Sequence, residues 1–217
     1  MENNSNNMTI WDKIYQKYKQ DGEEYATLKP GLIPDFLNFI KEHDFKTKRV
    51  LDIGCGNGKY LVFLQSLGLE VFGLDSSPTA VEMANSLLND PTAVVEADIY
   101  DYLLPTSTYD LIISIAAIHH GLKKQVVNAI KNIYQSLKAN GYCFITLPDN
   151  EGSSHWVSMA EHQEIEPGTR IPLAGPEKGL PHSSFTEKEI EAMFVDFSKV
   201  VTKFLSDRGR WIIIAQK

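Results

Sequence analysis

One stretch limits this chain more than any other: Val50-Leu51-Asp52-Ile53-Gly54-Cys55-Gly56-Asn57-Gly58-Lys59-Tyr60. An apolar run with a single embedded carboxylate gives way to glycines at three alternate positions, then to a helix-like sequence. The first half suits a strand buried on both faces of a parallel sheet. The second half suits a strand-to-helix turn at which a ligand meets bare backbone.

The sequence that follows repeats this strand–helix unit. Residues 49–54 read as a strand and 59–67 as a helix. A second strand is expected at 70–75, and a second helix at 78–88 with Pro78 at its start. Residues 93–98 and 109–115 read as further strands. A helix over about 123–137 is expected to end at Asn140-Gly141, with a fifth strand at 142–147. Such alternation implies a parallel sheet with helices on both faces and ligands at the strand C-termini. Residues 197–205 and 210–215 read as two strands joined by a Gly209-containing turn. The fold class is therefore α/β: a Rossmann-like, doubly wound, mostly parallel sheet with a C-terminal antiparallel hairpin.

With 217 residues, 43% of them hydrophobic, the chain has enough apolar surface for one full core. Residues 1–9 are expected to be a disordered tail, 10–45 an N-terminal helical lid or cap, and 46–217 the main domain. Trp11, Ile14, Tyr15 and Tyr18 fall on one helical face, and Tyr15 and Tyr18 are candidates to face a substrate. A second amphipathic segment runs from 33 to 43. Residues 149–184 break the rhythm with four glycines and four prolines and show no sustained period. An irregular insertion beside the ligand edge is expected to face substrate, and it carries His155 and Trp156. Thr186 with Glu189 three residues on forms a capping-box pattern that opens a short helix.

Charge and cysteine content narrow the partners. A net charge of −7, from 21 basic and 28 acidic residues, disfavours a protein held on nucleic acid mainly by charge. Cys55 and Cys143 form no C-x-x-C pair, and no metal site is expected. No apolar run reaches the roughly 20 residues of a membrane span, and the first residues lack a signal-peptide pattern. A cytoplasmic protein, monomeric or homodimeric, is the expectation.

The glycine spacing sorts the possible ligands. A P-loop needs Gly at 53 and Ser or Thr at 60, where the chain has Ile53 and Tyr60. A dinucleotide fingerprint needs Gly at 59, where the chain has Lys59. The Gly54-x-Gly56-x-Gly58 turn instead suits a bulky zwitterion without phosphate, such as S-adenosylmethionine. Asp75, ending the second strand, is suited to accept from both ribose hydroxyls. Asp98 is suited to the adenine amino group, with Ile99 packing on the base. Asp52 is expected to order the glycine turn through backbone N–H groups.

These segments together resemble the class I S-adenosylmethionine-dependent methyltransferases. Residues 50–58 are similar to that family's first motif and Gly73-Leu74-Asp75 to its second. Glu96-Ala97-Asp98 is similar to its third motif. Residues 109–115 with Ala116-Ala117-Ile118-His119-His120 are similar to its fourth. The resemblance implies the class I methyltransferase fold, S-adenosylmethionine as cofactor, and S-adenosylhomocysteine as product. It implies cofactor contacts at Asp52, Gly54, Cys55, Gly56, Gly58, Asp75, Ser76, Asp98, Ile99, Ser114 and Ile115. Within the family, residues 52–61 and 114–120 look similar to the tRNA wobble-uridine carboxyl methyltransferases. They also look similar to small-molecule enzymes of the ubiquinone-biosynthesis type. The tRNA enzymes carry a basic, tyrosine-rich stretch where this chain has Gly179-Leu180-Pro181-His182-Ser183-Ser184-Phe185, so a small-molecule acceptor is expected.

Methyl transfer needs a base only when the nucleophile arrives protonated. Candidate bases are His119, His120, His155, His182 and the N-terminal tyrosines, with His119, His120 and His182 put first because an unperturbed imidazole pKa near 6.5 suits the task. His119 and His120 more commonly cap the next helix or pack beneath the cofactor, and a loop histidine such as His182 is more often solvated. Two other readings stay open: tRNA as the acceptor, and a cofactor-binding domain without catalysis.

Overall fold

The structure is a computed structural model, and it describes residues 9–22, 31–45, 48–150 and 161–217. The order of elements is α1 (Ile10–Asp21), α2 (Pro34–Glu42), β1 (Arg49–Ile53), α3 (Lys59–Ser66), β2 (Glu70–Asp75), α4 (Pro78–Leu88), β3 (Val94–Glu96) and β4 (Tyr109–Ser114). It continues with α5 (Lys123–Ser136), β5 (Leu137–Pro148), β6 (His162–Glu166), β7 (Thr169–Pro172), β8 (His182–Ser183), α6 (Glu187–Met193), β9 (Lys199–Leu205) and β10 (Arg210–Gln216). Seven strands form one sheet in the order β3-β2-β1-β4-β5-β10-β9. Strands β1 to β5 pair in parallel, and β10 pairs antiparallel with both β5 and β9. The doubly wound sheet with its terminal hairpin is the expected architecture.

The near-continuous apolar character of the central strands follows from cover on both faces. Alternate residues feed two separate cores. Leu51, Ile53, Ile112 and Ile145 meet α5 and α6 through Val126, Ile130, Ile133 and Ile190. Val50, Leu111, Ile113 and Phe144 meet α2, α3 and α4 through Phe36, Phe39, Leu61, Leu64 and Ala84. Phe36 and Phe39 are among the largest fully buried or nearly buried side chains, with Phe36 edge-on to both Tyr60 and Phe144. Of the two N-terminal helices, α2 is thus part of the core, and α1 alone lies against the ligand edge.

Two expectations are corrected here. Helix α5 ends at Ser136, with Leu137 already extended, so Asn140-Gly141 does not stop it. Those residues instead make an irregularity inside β5, where Leu137 pairs with Tyr109 but Tyr142 pairs with Leu111. Asn140 takes φ 63°, and a Cβ on Gly141 would meet the Lys138 carbonyl oxygen at 2.9 Å. The insertion, read as irregular, contains a three-stranded antiparallel sheet, β6-β7-β8. Its strands are two to five residues long, too short for a period of two to register in sequence. The capping box at Thr186 forms as read: Glu189 N–H donates to Thr186 Oγ1, and Thr186 N–H donates to Glu189 Oε2.

Candidate active site

A cavity of about 270 Å³ opens at the C-terminal ends of β1, β2, β3 and β4, where the strand order reverses. Asp52 and Ile53 from the end of β1, then Gly54, Cys55, Gly56, Asn57 and Lys59, form its floor. Leu74, Asp75 and Ser76 come from the end of β2, and Ala97, Asp98, Ile99 and Tyr100 follow β3. Ile115, Ala116, Ala117 and His120 follow β4, Trp11 and Tyr15 come from α1, and Leu180 from the insertion.

The glycine turn is held from the neighbouring strand. Gly56 N–H donates to Asp75 Oδ2 and Ser77 N–H to Asp75 Oδ1, each at 2.9 Å. Asp75, not Asp52, therefore orders the turn. The register explains the difference. Asp52 sits beside Gly73 and Ile53 beside Leu74, so Asp75 lies past the end of β1, level with the turn's N–H groups. Gly54 and Gly56 both take positive φ, 68° and 56°. A Cβ at Gly54 would lie 2.3 Å from Ala117 Cβ, and one at Gly56 would lie 2.1 Å from Tyr15 Oη. Bare backbone is required at both. Ala116 adopts φ 57° without being glycine, its N–H bonded to Thr146 Oγ1; such strain collects at ligand sites.

Several expected residues lie elsewhere. Ser114 is fully buried, its hydroxyl donating to the Ile53 carbonyl at 3.0 Å, so it ties β4 to β1 and does not reach the cavity. Gly58 is the N-cap of α3 at φ 81°, where a Cβ would lie 2.9 Å from Ala84 Cβ. It serves the approach of α3 to α4 and is not part of the cavity wall. Tyr18 packs with Tyr15 and Ala80 and does not line the cavity. His155 and Trp156 lie outside the described residues.

The electrostatics differ along the cavity. Burial, with Asp75 nearby, pushes the Asp52 carboxyl up to about 8, and Lys59 opposes the shift. Burial also raises Asp75, against the backbone N–H groups that lower it. Burial, and then Asp75, hold the Tyr15 phenol well above its ordinary value. Two desolvated carboxylates facing a cavity provide a place for a cationic ligand. With the bare glycine backbone, that donor and acceptor set fits S-adenosylmethionine, which carries an ammonium and a sulfonium.

At the other end the groups are imidazoles. His120 borders the cavity, with its Nδ1 2.9 Å from the Ala117 carbonyl and its ring edge-on to Trp11 at 4.8 Å. His119 and His182 stand behind it, with ring centroids 3.8 and 4.8 Å from that of His120. The expected pKa near 6.5 does not hold. Burial first, then the neighbouring histidines and Arg210, push His119 and His120 well below it. His182 falls to about 4 through burial and Arg210. All three rings are neutral at neutral pH.

His182 reaches this place because β8 is sewn to the loop after β4. Ser183 N–H donates to the His119 carbonyl at 2.8 Å and Ser183 Oγ to the Gly121 carbonyl at 2.6 Å. Tyr100 Oη donates to the Ile118 carbonyl at 2.8 Å and steadies the same loop. Helix α1 is docked by Asp12, whose Oδ1 accepts from Ser77 Oγ and from Thr79 N–H at the start of α4. Sequence reasoning did not assign Trp11, Lys59, Tyr100 or Leu180 to the cavity. Trp11 was available on the aromatic face of α1. Leu180 falls in the insertion expected to face substrate, whereas Tyr100 carries no local signal, because only tertiary folding brings it there.

A sequence model described as a methyltransferase domain matches residues 24–197. The chain is 29% identical over 179 residues to a tRNA (carboxymethyluridine(34)-5-O)-methyltransferase of Saccharomyces cerevisiae, covering 80% of this chain and 61% of that protein. It is 29% identical over 115 residues to a mitochondrial ubiquinone biosynthesis O-methyltransferase of Schizosaccharomyces pombe, covering 49% of this chain and 41% of that protein. The chain thus spans about half the length of the curated relatives it matches. The fold is shared with the crystal structure of a SAM-dependent methyltransferase from Methanosarcina mazei: TM-score 0.68, 23% identity, 87% of this chain and 99% of that one. No helix among the described residues is long and apolar enough to cross a membrane.

Proposed function

The chain belongs to the class I S-adenosylmethionine-dependent methyltransferases, and from that premise we propose that it transfers a methyl group to a small-molecule acceptor held between His120 and helix α1. The observation that carries this reading is the cover over the cavity. Trp11 and Tyr15 of α1, with Leu180 of the insertion, border the same cavity as the glycine turn and His120. A concave, partly aromatic cavity suits a small molecule better than a polynucleotide, and the net charge of −7 points the same way.

S-adenosylmethionine supplies a methyl group already activated by its sulfonium. What remains for the chain is positioning, which can be worth roughly 7–11 kcal/mol. In this reading Asp75 and Gly56 fix the cofactor's place through the turn they jointly order, and Asp98 with Ile99 receives the adenine. Asp52 offers negative charge to the cationic end. His120, neutral and edge-on to Trp11, borders the acceptor's side of the cavity. Residues 10–22 are the part of the expected lid that this reading retains, and Leu180 is the residue of the described insertion that borders the cavity.

A second reading is supported by the yeast relative, whose similarity runs over 80% of this chain: the acceptor is a tRNA wobble uridine, reached with a partner's help. One assay separates the two. Labelled methyl transfer from S-adenosylmethionine should appear in the small-molecule fraction of a metabolite extract and not in unmodified tRNA. Label in tRNA alone would replace the first reading with the second. Label in neither, with cofactor binding intact, would leave a cofactor-binding domain without catalysis.

A further inference from the structure

No metal site is expected from the cysteine pattern, yet three histidines from two distant segments converge beside the cavity. Each of His119, His120 and His182 offers a ring nitrogen, and these nitrogens lie within 4.8 Å of one another. We propose that His119, His120 and His182 hold a divalent transition metal ion, zinc by preference, whose open coordination position faces the cavity past His120.

The surroundings have the form of a built site. Imidazole is a suitable ligand for zinc, and three histidines with one open position are a known catalytic arrangement. Histidine ligands characteristically donate their second ring nitrogen to a carbonyl or carboxylate, which fixes the tautomer and turns the other nitrogen to the metal. His120 does so: its Nδ1 is 2.9 Å from the Ala117 carbonyl, leaving Nε2 as the ligand atom. At His182 the nearby carboxylate is that of Glu177, whose Oε2 lies 3.3 Å from Nε2 without the geometry of a hydrogen bond. Glu177 is itself 4% exposed, an expensive place for a carboxylate. His119 is 1% exposed, and its Nδ1 is buried with no hydrogen-bond partner among the described residues. A metal ion would supply that partner.

Tetrahedral zinc with bonds of about 2.0–2.1 Å spaces its ligand nitrogens about 3.4 Å apart. The rings must therefore draw together by up to about 1.4 Å, within reach of rotations about the side-chain torsions. Arg210 acts against the metal, because its charge is felt at all three histidines. Glu177 offsets that charge. With neutral imidazoles the group sums to zero, so Arg210 favours a metal carrying an anionic oxygen over a bare cation.

This selects an acceptor with an ionisable hydroxyl, a step that rests on the methyl-transfer reading, whereas metal binding does not. The hydroxyl would bind in the open position as its oxyanion, its proton passing to solvent. Its oxygen would then form the O–CH3 bond as the cofactor's S–CH3 bond breaks, leaving the neutral thioether.

The test uses the full chain stripped with a chelator and titrated with Zn²⁺ against a chromophoric competitor, then with Co²⁺ as a spectroscopic probe. The expected result is one equivalent of Zn²⁺ and, with Co²⁺, the intense visible bands of a tetrahedral site. Glu177→Gln should weaken Zn²⁺ about 10–100-fold, and His182→Gln or His120→Gln by more. The two ligand variants are paired so that one misfolded protein does not decide the matter, and both are checked by unchanged S-adenosylhomocysteine affinity. Zn²⁺ affinity unaltered in both ligand variants, or no stoichiometric Zn²⁺ in the folded wild type, would overturn the metal site while leaving the methyltransferase reading standing.

Discussion

The two ends of the cavity are built in opposite ways. The acidic end comes from short segments that each follow a strand: the turn after β1, Asp75 ending β2, Asp98 after β3. Parallel pairing fixes these relative to one another, and backbone N–H groups on Asp75 lock the turn. The histidine end draws on α1, the loop after β4 and the insertion, which are far apart in sequence. It is held by ring contacts and by the Ser183 bonds to His119 and Gly121. A sheet edge can present one cofactor to many acceptors if the second end is free to vary. The construction seen here is of that kind.

The comparison can be broken most strongly at Gly54. Gly54→Ala forces an L-residue to φ 68° and drives its Cβ to 2.3 Å from Ala117 Cβ, a neighbour with no flexible end to move. Left-handed backbone and overpacking together should cost about 2–4 kcal/mol, read as a loss of stability in chemical denaturation. A wild-type midpoint would mean that the two loops are not packed as described.

Asp75→Ala is the next largest. It removes the acceptor of two backbone N–H groups, and hydrogen bonds to a charged group are worth about 1.5–3 kcal/mol. Cofactor affinity should fall accordingly, and hydrogen exchange at Gly56 and Ser77 should accelerate. Unchanged exchange at Gly56 would remove Asp75 from the turn.

Asp52 gives a slope, not a step. Its folded pKa of about 8 lies above its ordinary 3.8, so the folded state binds the proton more tightly than the unfolded chain does. Its contribution is therefore fully present below pH 3.8 and is lost as pH rises toward 8, by at most about 1.4 kcal/mol per pH unit. Asp52→Asn should flatten the pH dependence of ligand-free stability across that window. A cationic ligand should reverse the preference, so wild-type cofactor affinity should rise with pH up to about 8. An equally steep stability profile in the variant would dismiss Asp52 as its source.

The smallest effect is expected at the docking of α1. Asp12→Ala deprives Ser77 Oγ and Thr79 N–H of their acceptor, a loss comparable to that of a helix cap, about 1 kcal/mol. Acceptor KM should rise while cofactor affinity stays level, if α1 covers the acceptor and not the cofactor. A drop confined to cofactor affinity would reassign the helix.

How much of this could be read from the sequence follows the same division. Strands β1, β2 and β4 and helix α4 were legible because apolar runs and Pro78 mark them, and Gly54, Cys55, Gly56, Asp75, Asp98 and Ile99 followed from where strands end. The turn is held by Asp75 where Asp52 was expected, because parallel register is not written in either strand alone. Ser114 was misjudged since a buried hydroxyl at a strand end reads the same whether it turns to a ligand or to a neighbouring carbonyl. The His119–His120–His182 cluster was hidden for a different reason. Its geometry depends on Ser183 meeting the His119 carbonyl, a contact across more than sixty residues that leaves no local periodicity.

The central claim is that the acidic end receives the cofactor and the histidine end does not. Calorimetric titration of S-adenosylhomocysteine into wild type, Asp75→Ala and His120→Gln addresses it in one experiment. The expected result is a loss of about 10–150-fold in affinity for Asp75→Ala and an unchanged affinity for His120→Gln. Full affinity in Asp75→Ala with a loss in His120→Gln would contradict the assignment of the two ends.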